Sequence, residues 1–453
     1  MIKFRTGAPS PLRRVRVPAA GLAVTGILIA AAGCAAAGGS TIRTASTSPP
    51  DSVATDCDSL ATCYTPRQVR VAYGIQPLLD RGIDGRGQTV VLPELAAEQL
   101  SPPKVSDIRQ DMKRFDSLFG LPAARLKIDA TLAGPVSPWP ATGEEVQDAQ
   151  IVHAIAPAAT IRVILVEPTA LSSPASAMAA LTSALRRSLS DGDVISISAG
   201  WGEHCLTRAE VTRQHSALLA ARDDNVTVVA GSGDTGAVSR PCPGSARQDP
   251  WTPVKEVSAP ASDPLVLAAG GTTFTASHKT GAYINETTWS APSHSQGTGG
   301  GFSHLFPRPG YQNGIPGTGA TRAVPDVAAD AAPSTGMAIA ISDSDQKYSI
   351  LGASGTSASA PFWAALIALA NQSAGHDLGF VNPAIYRIGR SAAHHTAFHD
   401  ITTGSNTVTI SDQTINGYQA TPGYDPATGW GSPDARLLVP LLARHAKPFK
   451  TQT

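Results

Sequence analysis

The sequence predicts an α/β fold, a doubly wound and mostly parallel sheet with helices on both faces. Three observations predict it. Short β-branched runs alternate with helical stretches along most of the chain. Each run ends in Gly or a polar turn. The 453 residues are 42% apolar and only 15% charged, enough to bury the large core such a sheet needs.

In chain order, QTVVLPE (88–94), ATIRVILVEP (159–168), DVISISAG (193–200), NVTVVAGSGD (225–234) and PLVLAAGGT (264–272) read as buried strands. Between them, KVSDIRQDMKRFDSLFG (104–120), GEEVQDAQIVHAIAP (143–157), SAMAALTSALRRSL (176–189) and EVTRQHSALLAARDD (210–224) read as helices. In such folds the active groups gather beyond the carboxyl ends of the strands. No phosphate-loop or dinucleotide fingerprint stands in the strand-to-helix context that those ligands need.

The formal charge is zero, with 35 basic and 35 acidic residues. Lys3, Arg5, Arg13, Arg14 and Arg16 precede Cys34 with no acid among them, so the remainder is acidic by five charges. That excludes a basic surface for nucleic acid. The basic start runs into PAAGLAVTGILIAAAGC, which reads as an export signal over residues 1–33. Its end, AAGC, resembles a bacterial lipobox, with Ala31 where Leu is usual, so Cys34 is a candidate for a lipid anchor. Residues 34–63 read as a tether with a short Cys57–Cys63 loop, 64–442 as the folded body and 443–453 as a tail. Cys205 and Cys242 form a second candidate disulfide, in keeping with an oxidising compartment.

The stretch GASGTSASAPFWAAL (352–366) sets four hydroxyls, Ser354, Thr356, Ser357 and Ser359, before an apolar helical run. A serine nucleophile needs a base, most often His. His153 is the one histidine within a strong helical pattern. It sits nine residues past Glu144 and so faces away from Glu144 and Asp148 on a regular helix, which makes it structural. Glu144 and Asp148 are i,i+4 neighbours on one face. A third acid, Asp234, sits in SGDTG directly after a strand. Asp-Thr-Gly also marks aspartic proteases, but that chemistry needs two such loops and the chain has one.

Together SGTSASAP, GEEVQD and SGDTG, in this order of roles, resemble the sedolisins, the serine-carboxyl peptidases on a subtilisin-like fold. The resemblance extends through TPRQVRVAYGI, GIDGRGQTVVLPE, APASDPLVLAAGGTTF, GGGFSHLFPRPGYQ, RAVPDVAADAAPSTG and HDITTGSN. It implies Ser357 as nucleophile, Glu144 as general base, Asp148 as its partner and Asp234 in the oxyanion hole. Glu94 would be an outer acid that extends the network. Ser354, Thr356 and Ser359 would then be turn and capping residues, and Pro361 would fall in the first turn of the helix. HDITTGSN and PGYDPATGWG resemble the family's calcium site. They imply one structural Ca²⁺ held by the carboxylates of Asp400 and Asp425 and the carbonyls of Ile401, Thr421 and Gly423, with Thr421 standing where the family usually has Gly.

Elementary electrostatics fits that assignment. Two carboxylates ~4 Å apart repel by roughly 4 kcal/mol at an effective dielectric of about 20, or about 3 pKa units. An ionised Asp234 would repel an oxyanion, whereas a neutral carboxylic acid donates to it. The resemblance therefore implies a monomeric, exported peptidase acting on protein or peptide substrates near pH 3–5, with no nucleic-acid partner and no membrane contact except an anchor at Cys34. The rival from another class is a catalytically silent peptide- or partner-binding protein on the same scaffold. The family's long folded prosegment has no counterpart in the roughly 30 residues between Cys34 and the body.

Overall fold

A computed structural model of the chain describes residues 63–95, 107–132, 143–166, 173–239, 242, 253–342, 348–410 and 412–446. The proposed signal, Cys34 and Cys57 lie outside the described residues; Cys63 is buried with a free thiol, against the expected Cys57–Cys63 loop.

Eight strands form the central sheet: β1 (Thr89–Leu95), β2 (Arg125–Leu132), β3 (Thr160–Val166), β4 (Val194–Ile197), β5 (Thr227–Gly231), β6 (Leu267–Ala276), β7 (Tyr283–Thr288) and β8 (Val327–Asp330). Their order is β8-β6-β5-β4-β1-β3-β2, all parallel, and β7 pairs antiparallel with β6. The main helices are α1 (Ile108–Phe119), α2 (Glu144–Ile155), α3 (Pro174–Ser188), α4 (Arg208–Asp223), α5 (Thr356–Ala374) and α6 (Ala435–His445). All five strands and four helices expected from the alternating pattern are present.

Successive strand residues point to opposite faces, and the core divides accordingly. Val90, Leu92, Ile161, Val163, Leu165 and Val229 pack on the face covered by α2 and α5. Val91, Ile164, Val166, Ile195, Ile197 and Val228 pack on the face covered by α3 and α4. Burial on both faces is why these strands read as continuous apolar runs.

Strand β2 escapes the apolar pattern because it is an edge strand. Its sequence RLKIDATL alternates exposed and half-buried residues, and Asp129 pairs with Arg162 of β3 at 2.7 Å. Strands β7 and β8 are short, and β7 is polar (YINETT).

Helix α5 is the central element. Its residues from Thr356 to Asn371 are all buried, and Trp363 donates its indole N–H to the Ala328 carbonyl of β8 at 2.9 Å. It begins at Gly355, whose φ of 80° lies in the left-handed region, and ends at Gly375 in the same region. A Cβ at Gly355 would also stand 2.6 Å from Asp234 Oδ2. Backbone conformation and space both demand glycine there.

Pro361 corrects one expectation. It is the sixth residue of α5, beyond the first turn. Lacking an N–H, it cannot donate to the Ser357 carbonyl one turn earlier. Ser198 points its hydroxyl at that carbonyl, 3.4 Å away.

Candidate active site

The chain departs from β1 toward β2 and β3 on one side and toward β4, β5, β6 and β8 on the other. The crevice beyond the carboxyl ends of β1 and β4 is therefore the expected site. Glu94 is in β1, Ser198 follows β4 and Asp234 follows β5. Glu144 and Asp148 occupy the first turns of α2, which packs against α5, and Ser357 is the second residue of α5. Sequence positions 94 to 357 thus converge on one place.

The Ser357 hydroxyl donates to the Ser198 carbonyl oxygen at 3.2 Å and stands close enough to the Glu144 carboxyl to favour its charge. Glu144 is half-buried at the edge of the cleft, whereas Asp148 and Glu94 are fully enclosed beneath it. Asp148 hydrogen-bonds with Glu94, and its Oδ2 accepts the Ser198 hydroxyl at 2.5 Å. A chain of contacts therefore runs inward from Ser357 through Glu144 and Asp148 to Glu94. One oxygen of each acid, Glu94 Oε1, Glu144 Oε1 and Asp148 Oδ1, is buried with no protein donor among the described residues. Carboxyls that face each other in this way are satisfied by retaining protons.

Burial is the largest cause that pushes all three acids above the ordinary carboxylate range. Glu144 rises to about 8. Asp148 and Glu94 are raised further by the neighbouring acids. Glu145, buried beside them on α2, adds repulsion to each of the three. The hydrogen bond from Ser357 acts the other way and favours charge on Glu144. Of the three acids, the one touching the nucleophile is thus helped to ionise by that nucleophile.

Asp234 is held at the start of α5, beside Gly355 and Thr356. Its Oδ1 accepts both the backbone N–H and the hydroxyl of Thr356, each at 2.8 Å. The Thr356 hydroxyl in turn accepts the Gly233 N–H at 3.0 Å. Oδ1 is therefore committed as an acceptor, and Oδ2 overhangs Gly355. The amides of the first turn of α5 lack intrahelical acceptors and add positive potential beside it. This corrects the reading of Thr356 as a capping residue: the N-cap is Gly355 with no side-chain cap, and Thr356 orients Asp234. Ser359 is buried with its hydroxyl unpartnered, and Ser354 joins Gln147 through its backbone.

Ser198 and Glu145 carry no role in the sequence reading. The signal for Ser198 is a small hydroxyl just past the carboxyl end of a central strand. For Glu145 it is the acidic doublet at a helix start. His153 is structural as expected, fully buried with Nε2 at 2.8 Å from the Pro122 carbonyl and 3.0 Å from Asp116.

The residues expected to hold calcium come from two segments, 400–401 and 421–425, that meet at Gly423 and Asp400. Asp400 accepts the Gly423 N–H at 2.9 Å, and Asp425 Oδ2 accepts the Thr421 N–H at 3.0 Å. Thr421 is not among the residues with positive φ, so a side chain is accommodated where the family usually has Gly. Burial pushes Asp425 up to about 6, against the opposing effect of three loop N–H groups. Two carboxylates and three carbonyls make an all-oxygen donor set that suits a hard cation.

The chain is 35% identical over 401 residues to kumamolisin of Bacillus sp. (strain MN-32), covering 85% of this chain and 65% of that protein. It belongs to the sedolisin family. Sedolisin of Pseudomonas sp. (strain 101) is 34% identical over 275 residues, covering 58% of this chain and 43% of that protein. Human tripeptidyl-peptidase 1 is 30% identical over 269 residues, covering 55% and 43%. A solved structure titled Pseudomonas sedolisin (serine-carboxyl proteinase) complexed with two molecules of pseudo-iodotyrostatin superposes with a TM-score of 0.69 at 26% identity. It covers 85% of this chain and 99% of that one, which agrees with the subtilisin-like α/β class. The chain spans about two-thirds or less of the length of these curated relatives. No family model matches the chain. The other disulfide expectation stands as Cys205–Cys242. Among the described residues, no helix is long and apolar enough to cross a membrane.

Proposed function

We propose that the chain is an acid-active serine-carboxyl peptidase that hydrolyses protein or peptide substrates through an acyl-enzyme on Ser357. One observation carries the reading: the Ser357 hydroxyl favours charge on the Glu144 carboxyl, and Asp234 is bonded to the backbone N–H and hydroxyl of Thr356, the residue next to Ser357. Glu94, Glu144 and Asp148 titrate as a unit, and in the fraction of molecules in which that network has lost one proton and Glu144 is ionised, Ser357 Oγ attacks the scissile carbonyl as Glu144 takes its proton. The oxyanion receives hydrogen bonds from the Ser357 N–H and the protonated Asp234. Glu144 returns the proton to the leaving amine, and the acyl ester remains. Water then attacks the ester with Glu144 again as base, releasing the acid and restoring Ser357. Asp148 and Glu94 share protons behind Glu144 and spread its negative charge before it takes the Ser357 proton.

Asp234 works only while protonated, so activity is greatest at about pH 3–5 and falls toward neutrality. Labelling with a peptide aldehyde or a fluorophosphonate at pH 4 tests this directly. The wild type is labelled once, and Ser357→Ala is not labelled and loses at least roughly 10⁴-fold in kcat/KM. Unlabelled wild type, or an activity maximum at pH 8, defeats the reading in favour of a silent binding scaffold.

One Ca²⁺ held by Asp400, Asp425 and the carbonyls of Ile401, Thr421 and Gly423 would neutralise the two carboxylates and tie their loop to the body. Chelation lowers Tm, and added Ca²⁺ restores it. An unchanged melting curve counts against the ion. The Cys205–Cys242 disulfide supports export into an oxidising compartment through residues 1–33.

A further inference from the structure

The loops that follow β4 and β5 bring Ser198 and Asp234 to the site, and farther out they are joined. Trp201–Gly202 pairs with Ser258–Ala259, the Glu256 N–H reaches the Ala237 carbonyl at 3.1 Å, and Cys205 is bonded to Cys242. Beside that disulfide is a polar cluster that the peptidase reaction does not use. Glu256 is only 6% exposed, yet its carboxylate serves a half-exposed histidine. It accepts the His204 backbone N–H at 3.0 Å, the Ser239 hydroxyl and the His204 ring at Nδ1. Gly202 makes room for the cluster, since any Cβ there would overlap Ser239 and Glu256.

A carboxylate on Nδ1 fixes the imidazole as the Nδ1–H tautomer and leaves the Nε2 lone pair free. That lone pair lies 3.5 Å from Cys205 Sγ. The donor atoms of His204, Cys205 and Cys242 all lie within 4.8 Å of one another. Among the described residues, this is the one group of three His, Cys, Asp or Glu donors so close together. A carboxylate behind a histidine that faces two sulfurs is the arrangement that orients imidazole toward zinc.

While the disulfide is intact, the sulfurs are bonded to each other and hold no metal. We propose that reduction converts this cluster into a binding site for a thiophilic divalent cation, Zn²⁺, with Cys205, Cys242 and His204 as ligands. A dithiol supplies the reduction. It gives two electrons and two protons to the S–S bond and leaves as its own disulfide, and Cys205 and Cys242 become thiols. Zn²⁺ then displaces two protons and binds two thiolates and one imidazole, with the fourth position open to solvent. Binding releases protons, so it strengthens toward neutral pH and fails in acid. One clamp on the two site-bearing loops is thereby exchanged for another.

The test uses the full chain, reduced with a dithiol, desalted without oxygen and titrated at pH 7.5 with Co²⁺ and then Zn²⁺. One equivalent of Co²⁺ is expected to give a thiolate-to-cobalt band in the near ultraviolet. Zn²⁺ should abolish that band and protect two thiols from alkylation. His204→Ala should weaken binding at least tenfold, and Glu256→Gln by 10- to 100-fold. The double variant Cys205→Ser with Cys242→Ser should show neither the band nor protection. Absence of the band, unchanged affinity in His204→Ala, or the same signal in the double variant overturns the proposal. So does a reduced chain that melts and is not restored by Zn²⁺.

Discussion

Two clusters of buried acids lie in this molecule, and they are satisfied in opposite ways. At the candidate active site, Glu94, Glu144 and Asp148 face one another, and each keeps a buried oxygen without a protein donor. Below the α2–α5 face, Glu286 of β7 is surrounded by donors. It accepts Tyr73 at 2.6 Å, Thr272 at 2.7 Å, and the hydroxyls of Ser432 and Tyr283. Asp330 beside it accepts Thr335 at 2.7 Å, with the N–H groups of Ala332 and Phe274 near enough to oppose the rise in its pKa. Burial raises the pKa in both clusters. What separates them is whether donors fixed by the fold complete the carboxyl. A completed carboxyl holds segments together, and here it ties the Pro66–Ala72 helix and its cap Tyr73 to β6, β7 and the C-terminal segment. An incomplete one is free to exchange its proton with a substrate.

The comparison breaks if activity and stability fail to separate between the clusters. Glu144→Gln keeps the shape and removes the base, and is expected to lower kcat by roughly 10²–10⁴-fold at pH 4. Because it also removes repulsion among buried acids, its Tm at pH 7 should equal or exceed that of the wild type. Glu286→Ala should do the reverse. It strands the hydroxyls of Tyr73, Thr272 and Ser432, at a cost of about 1–3 kcal/mol for each donor left unsatisfied. Activity per folded molecule should remain. A Glu286→Ala variant that folds normally but loses kcat would remove the distinction.

The pH dependence of stability sharpens the comparison. Glu144 and Asp330 are each pushed up to about 8, and Glu94, Asp148 and Glu286 are also raised. In the unfolded chain these carboxyls titrate at ordinary values near 4. The folded state therefore binds their protons more tightly. The stabilisation is complete below about pH 4 and is lost as pH rises toward about 8. Each such group contributes a slope of up to about 1.4 kcal/mol per pH unit within its window. Melting curves from pH 3 to 8 should decline overall, opposed as pH rises toward about 6.5 by His394 and His399, which burial holds below the ordinary histidine range. Asp330→Asn should flatten the slope without changing the activity profile, and Glu144→Gln should alter both. A wild-type maximum at neutral pH would contradict the assignment of these protons.

Much of this was legible in the sequence because it is local. The five central strands are buried on both faces and read as apolar runs, and glycines mark where α2 and α5 begin. The motif residues Ser357, Glu144, Asp148 and Asp234 are legible through the family resemblance, and the fold brings them together. Edge strand β2 was not legible, because exposed residues such as Arg125 and Lys127 interrupt its apolar positions. The roles of Thr356 and Ser198 were hidden for a different reason. Their partners lie 122 and 50 residues away, and no local spacing encodes a contact between loop ends. The same holds for Tyr73 and Glu286, 213 residues apart.

Ser198 offers the finest test of how the active-site acids are tuned. Its hydroxyl, donated to Asp148 Oδ2, lowers the Asp148 pKa, as does the neighbouring Glu94. It therefore moves Asp148 slightly toward the donor-completed condition of Glu286. Ser198→Ala removes that donor and leaves the Ser198 carbonyl, which faces Ser357, in place. The proton on Asp148 should be held more tightly, so the acid limb of the kcat profile should shift to higher pH. The loss at the optimum should stay small, about tenfold or less, for a single hydrogen bond of roughly 1 kcal/mol. Ser198→Thr, which keeps the hydroxyl, should restore the wild-type limb. A purely structural role would lower activity equally at every pH and leave the limb where it was.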